Sequence, residues 1–172
     1  MLLFFRFLLV TVKSLFGRRI GIFDESVVRF TVLPHDCDLN IHLNAGRFLS
    51  FMDVARMDLI GCTGLLRRLV RRGWRPIMGG CVVRYRREIR PFERFTVRSR
   101  VLGWDEKWFY LEHVVEKDKD TFCAVGTVRT LIRSKSGNVA PPDVLALVGI
   151  GQTASPELPE FVQKWRDAEN AR

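Results

Sequence analysis

The chain reads as an α+β protein: one antiparallel sheet of five strands, one long buried helix against a face of that sheet, and an amphipathic helix in front. Three observations predict this. From Ile77 onward apolar residues recur at every second position through four segments, 77–90, 94–104, 107–118 and 121–135, the period of a half-buried strand. The breaks between these segments are short, so successive strands pair as hairpins. Between a first strand and this meander, Gly46 to Ile60 carries Phe48, Phe51, Met52, Ala55 and Leu59 at the 3–4 spacing of a helix, with Leu49, Val54 and Met57 widening the apolar surface.

Size and balance agree with a single globular domain. The 172 residues are 47% hydrophobic and 27% charged, which excludes a disordered or collagen-like chain. The formal net charge is +9 and the pI about 10.0. Such a surplus suits a phosphorylated ligand, a membrane surface or nucleic acid. No nucleic-acid-binding motif is present, so that last class is set aside. Cys37, Cys62, Cys81 and Cys123 form no CxxC pair, so neither a zinc site nor a disulfide framework is expected. They read as reduced, mostly buried thiols of a cytoplasmic protein.

Taken in order, residues 1–22 are an amphipathic helix with its exit. MLLFFRFLLVTVKSLF places Arg6, Thr11, Lys13, Ser14 and Arg18 on one side, and no acid precedes Asp24. The charge falls within and after the apolar run, unlike a secretory signal. Sixteen helical residues span about 24 Å, short of the roughly 30 Å hydrocarbon core. Two readings stay open: the helix packs on its own domain or a partner subunit, or it lies in a membrane interface through residues 1–19. Residues 23–142 form the main domain. Its first strand is 23–34, ended by Pro34. Asn44 is the N-cap of the buried helix, and Gly61 and Gly64 stop it. Residues 65–75, with five arginines, form a short basic helix or loop. Residues 143–172 are a polar tail with a weak helical pattern. A sheet with one covering helix leaves its edges and one face open, so a homodimer, pairing further into a tetramer or not, is expected.

The residues able to do chemistry cluster where the first strand passes into the buried helix: His35, Asp36, Cys37, Asp38, Asn40, His42 and Asn44. Backbone N–H groups in the first turn of a helix are unpaired and favour negative charge. The cluster is either a helix-capping turn or a site where a carboxylate works beside an oxyanion pocket.

The run DCDLNIHLNAGRFLSFMDVAR resembles the signature of hotdog-fold thioesterases of the 4-hydroxybenzoyl-CoA thioesterase type. Asp36 and Asp38 match its two acids, His42 and Asn44 its His-x-Asn, Phe48 its aromatic, Asp53 its helix acid and Ala55-Arg56 its close. Ala45 stands where the family has a second Asn. Asp38-Leu39-Asn40-Ile41-His42 is also similar to the Asp, Asn and His of plant acyl-carrier-protein thioesterases, and YRREIRP at 85–91 looks like the family's joint between its second and third strands. The resemblance implies a hotdog fold, with the sheet wrapped around the central helix. It implies Asp38 as base or nucleophile, Asn40 and His42 as holders of water or carbonyl, and Asn44, Ala45 and Gly46 as the oxyanion site. Asp53 is either a second acid or the partner of Arg56, three residues on. His35 and Asp36 structure the loop. Arg84, Arg86, Arg87 and Arg90 would bind the phosphates of coenzyme A.

The expected activity is hydrolysis of an acyl-CoA or acyl-carrier-protein thioester without metal or cofactor. Turnover of a short substrate is expected to survive deletion of residues 1–19. Two alternatives remain: a non-catalytic membrane-associated acyl-binding or scaffold protein, and a hotdog-fold hydroxyacyl dehydratase or enoyl hydratase.

Overall fold

A computed structural model describes residues 2–117 and 121–171. The order is α1 (Leu2–Phe16), β1 (Ser26–Thr31), α2 (Ala45–Cys62), α3 (Leu65–Arg72), β2 (Arg75–Tyr85), β3 (Arg94–Trp104), β4 (Phe109–Lys117), β5 (Thr121–Ser134), β6 (Gly137–Val139), α4 (Pro141–Ala146) and α5 (Glu160–Asn170). The five long strands form one antiparallel sheet in the order β1-β3-β4-β5-β2, and β6 pairs with the end of β5. The expected turn at 117–120 lies, for residues 118–120, outside the described residues.

Alternation places one side chain of each pair against α2. Phe30, Phe95, Val97, Val115 and Ala124 meet Phe48, Phe51, Met52 and Ala55 there, all buried. Phe51 lies 4.8 Å from Phe30 and 5.0 Å from Phe95, centroid to centroid, so three aromatic rings lock helix to sheet. His113 shares this face. It is fully buried, with Nδ1 2.8 Å from Ser99 Oγ. Burial, and then the nearby Arg56, pull its pKa down to about 3, so the ring is neutral.

Four features correct or go beyond the expectations. The helix does not stop at Gly61. It continues to Cys62, and Gly61 is where α1 crosses closely: a Cβ there would lie 1.9 Å from Ser14 Oγ. The turn comes at Gly64, whose φ of +80° suits glycine. Second, α1 runs along α2 and turns Arg6, Thr11 and Ser14 inward with Phe7, Val10 and Leu15. Its apolar side faces outward, with Phe4, Phe5, Leu8, Leu9, Val12 and Phe16 exposed, Phe16 at 86%. Third, the far face of the sheet is partly covered from within the chain. Leu158, Val162 and Trp165 of the C-terminal segment pack on Leu102, Trp108 and Tyr110, and Arg129 sits between the rings of Trp108 and Trp165, paired to Glu169. Fourth, Cys81 is exposed, because it stands on β2, an edge strand. Ile77, Met78, Val82 and Tyr85 of that strand are exposed as well.

Candidate active site

Val32 is fully buried and ends the apolar run of β1. Pro34 then opens a single 3-10 turn, Pro34–Asp36. From there the chain forms a narrow loop closed by a bridge between Cys37 and Leu43. The Asp38 N–H donates to His42 O (3.1 Å) and the Ile41 N–H to Asp38 O (3.0 Å), with Ile41 at φ +57° at the tip. Leu43 is buried, and its N–H donates to Ile89 O (2.8 Å). The loop is thereby fastened to the segment that follows β2.

This geometry brings two of the expected groups together. Asp38 Oδ1 lies 3.5 Å from His42 Nδ1, both side chains about one quarter to one third exposed. Asn40 is fully outside, and its contact with Asp38 runs through its backbone N–H to Oδ1 (3.0 Å). Leu39 and Ile41 project into solvent beside them.

The helix N-terminus is more selective than the sequence suggested. Asn44 caps α2 by accepting from the Gly46 N–H (2.9 Å), and its carbonyl takes the N–H groups of Arg47 and Phe48. Gly46 is therefore already occupied. Among the described residues, the Ala45 N–H is the first-turn donor left without a partner. The Ala45 carbonyl accepts from Tyr85 Oη (3.0 Å), and that ring meets Phe48 edge-on at 5.3 Å. The edge strand thus touches the site at its end.

The remaining candidates separate. Asp53 pairs with Arg56 through Oδ1 and Nη2. The four arginines do not form one cluster. Arg86 and Arg87 follow β2, both N–H groups on Cys123 O, and line an open groove with Thr121 and Phe122. Arg90 is held by Glu88 at 2.8 Å. Arg84 is on the opposite sheet face from Tyr85, beside Val82, Glu112 and Phe161. Asp36, read as a loop-structuring residue, is fully buried and bonded to Arg6 at 2.8 Å. The sequence reading missed that partner, although a lone Arg within an apolar helix was its visible signal.

Residues 32–166 match the thioesterase-like superfamily. The chain belongs to that superfamily. It is 38% identical to Protein THEM6 of Xenopus laevis over 134 residues, covering 78% of this chain and 63% of the frog protein. The Drosophila melanogaster Protein THEM6 is 33% identical, over 90% of this chain and 78% of the fly protein. The chain therefore spans under two thirds of the frog relative and about four fifths of the fly one. The three-dimensional structure of 4-hydroxybenzoyl CoA thioesterase from Pseudomonas sp. strain CBS-3 superposes with a TM-score of 0.63 at 15% identity, covering 72% of this chain and 98% of that one. At that identity the likeness establishes the fold, a hotdog, as the resemblance implied. In this thioesterase-like chain the loop with Asp38 and His42 falls inside the matched span.

Proposed function

We propose that the chain hydrolyses acyl thioesters of coenzyme A or acyl carrier protein. The observation that carries this reading is the pairing of Asp38 with His42 at the foot of a helix whose one unpartnered first-turn N–H is that of Ala45. Family membership supports it, as does the 4-hydroxybenzoyl CoA substrate in the name of the Pseudomonas neighbour.

In this reaction Asp38 takes a proton from water as the oxygen attacks the thioester carbon. The carbonyl oxygen becomes an oxyanion and accepts from the Ala45 N–H at the positive end of α2. The tetrahedral intermediate collapses, the carbon–sulfur bond breaks, and the proton that Asp38 took from water passes through His42, 3.5 Å away, to the departing thiolate, which restores both side chains. The products are a carboxylic acid and a free thiol. Arg86 and Arg87 are placed to meet the phosphates of the carrier. Asn40 acts through the loop, and Arg84 and Arg90 are peripheral.

A second copy completes the site. Between sheet and helices an apolar pocket of about 40 Å³ lies at the far half of α2, lined by Leu59, Leu69, Phe109 and Leu111. A single water needs about 10–15 Å³ of such space, so this pocket holds no acyl chain, and the larger grooves are open to the surface. The exposed edge of β2 ends at Tyr85 beside Ala45. Pairing β2 with its copy would extend the sheet to ten long strands and wall the site with the partner. A dimer suffices, since α1 covers α2 and α5 covers part of the far sheet face.

The outward apolar side of α1, with Lys13 and Arg18 exposed beside it, suits peripheral contact with an anionic membrane face, on the cytoplasmic side. Among the described residues no helix is long and apolar enough to cross a membrane.

The deciding experiment is release of free thiol across a panel of acyl-CoAs, with Asp38→Asn as control. Turnover that falls at least about 100-fold in a folded Asp38→Asn protein is expected. Unchanged turnover refutes the role of Asp38. Hydration of an enoyl-CoA without thiol release would favour the lyase reading, and binding without turnover the scaffold reading.

A further inference from the structure

We propose that Arg6 of α1 is a positioning residue for the loop that carries Asp38 and His42, so that the N-terminal helix is part of the active-site scaffold. The inference rests on the thioesterase reading of that loop. It starts from Asp36, which has no solvent exposure. Its Oδ2 accepts from Arg6 Nη1 (2.8 Å) and from the Leu33 N–H (3.1 Å). Its carbonyl accepts from the Asn44 N–H (3.0 Å). One residue therefore joins α1, the end of β1 and the cap of α2, two positions before Asp38.

Arg6 is itself fixed on three sides. The second nitrogen of its fork donates to Thr31 O (3.1 Å), and the guanidinium lies 5.1 Å above the Phe51 ring. A fork that bonds two acceptors while stacking on an aromatic is a geometry that lysine cannot reproduce. The other charged or titratable groups facing Asp36 are farther. His35 Nε2 is 3.3 Å and Arg47 Nε 3.6 Å from Oδ1, which has no hydrogen bond. Among the described residues Arg6 is thus the one cation with a direct hydrogen bond to this carboxylate.

A buried carboxylate that loses its partner must reach water or protonate. Asp36 can reach water only by moving the turn at 34–36, and Cys37 and Asp38 follow it. The loop beyond is closed by its own bridge between Cys37 and Leu43 and anchored at Leu43, so it would tilt about that anchor with its internal contacts kept. The pair Asp38 and His42 would then stay together but leave the Ala45 N–H. Misplacement of about 1 Å costs up to about 100-fold in rate. On this reading deletion of residues 1–19 lowers turnover, contrary to the expectation from the sequence.

The test compares Arg6→Met, Arg6→Lys, the double variant Arg6→Met/Asp36→Asn and Asp38→Asn in the full chain. Thiol release is measured well below each melting temperature. His42 imidazole resonances are followed by NMR, which needs no turnover. In Arg6→Met kcat is expected to fall about 30-fold with KM changed less than about threefold, and the His42 resonances to shift. Arg6→Lys, keeping the charge but not the fork, should lose about fivefold. Replacing the stranded charge in the double variant should recover at least about fivefold of the loss. Wild-type kcat or unmoved His42 resonances in folded Arg6→Met overturn the proposal. A loss that tracks melting temperature and ignores Asp36→Asn also overturns it. If Arg6→Met does not fold, wild-type values in Arg6→Lys do the same. Full activity in Asp38→Asn would instead refute the assignment of the loop, a result separate from any of these.

Discussion

Gly61→Ala tests whether α1 is docked as the structure shows. The new Cβ would lie 1.9 Å from Ser14 Oγ and 2.6 Å from Ser14 Cβ. Turning the hydroxyl relieves the first contact but not the second, because Ser14 Cβ is fixed to the backbone of α1. An ordinary carbon contact is about 3.5–4.0 Å, so α1 must retreat by about 1 Å. Overpacking of this kind costs about 1–3 kcal/mol. Gly61 is the penultimate residue of α2, so alanine there returns less than the roughly 1 kcal/mol of helix propensity that it gives mid-helix. The net is a destabilisation of roughly 1 kcal/mol, a fall of about 2–4 °C in melting temperature for a domain of this size. Ser14→Gly removes both colliding atoms. The assay is therefore a double-mutant cycle by thermal or urea unfolding, with Gly61→Ala, Ser14→Gly and the pair. A coupling above about 1 kcal/mol is expected, with alanine at 61 stabilising once Ser14 is gone. If Gly61→Ala raises the melting temperature in the wild-type background with no coupling to Ser14, α1 does not pack on α2 at this crossing, and the argument for Arg6 falls with it.

Three other outcomes are expected. The full chain should co-sediment with anionic vesicles in a salt-sensitive way, and Leu9→Glu with Phe16→Glu should abolish this without changing the far-ultraviolet circular dichroism; equal binding would remove the membrane role of α1. The chain should sediment at twice 19.9 kDa, and Ile77→Lys with Val82→Lys on the β2 edge should yield a monomer with little turnover; a native monomer at micromolar concentration would refute the completed site. His113 binds no proton in the folded chain down to about pH 3, while in the unfolded chain it takes one up below about pH 6.5. The unfolded state thus binds more protons in that window, and stability falls as pH drops through it, by up to about 1.4 kcal/mol per pH unit from this group. His113→Gln should show a flatter urea midpoint between pH 6.5 and 5 than the wild type, and parallel curves would contradict the buried neutral ring.

The strands were most legible where a buried face alternates with an exposed one. Phe95, Val97, Ser99 and Val101 alternate so regularly that β3 occupies the residues the period marks, 94–104. β2 stops short of the expected residue 90: its ladder with β5 ends at Tyr85 and Ala124, and beyond it the Arg86 and Arg87 N–H groups converge on one carbonyl, that of Cys123. The C-terminal helix was legible only weakly. Leu158, Val162 and Trp165 have helical spacing, but their burial depends on Tyr110 and Leu102, far away in sequence. The same holds for Gly61. A glycine near the end of an apolar run reads as a stop, and only the crossing of another helix makes it a contact.

The site divides along the same line. Everything set by short-range geometry could be read from the residues: Asn44 as cap, and Asp38 with His42 four positions on, which a tight loop brings to 3.5 Å. What depends on competition between neighbours could not. The Asn44 side chain takes the Gly46 N–H, which leaves the Ala45 N–H without a partner among the described residues. Glu88 occupies Arg90, and the strand period turns Arg84 away from Tyr85. Arg6 is the sharpest case. An arginine among Leu, Phe and Val invites a reading as the polar edge of a surface helix, its charge in water. In the fold Arg6 is inside with Phe7, Val10 and Leu15, while Phe4, Phe5, Leu8, Leu9, Val12 and Phe16 are outside, because Asp36 is buried and needs a cation, and α1 brings one within hydrogen-bond reach. The apolar side is then exposed by geometry, not by composition. On the proposed reading α1 presents one face to solvent or lipid and with the other holds the loop of Asp38 and His42, through the Arg6 fork, the crossing of Ser14 over Gly61 and the inward Phe7, Val10 and Leu15.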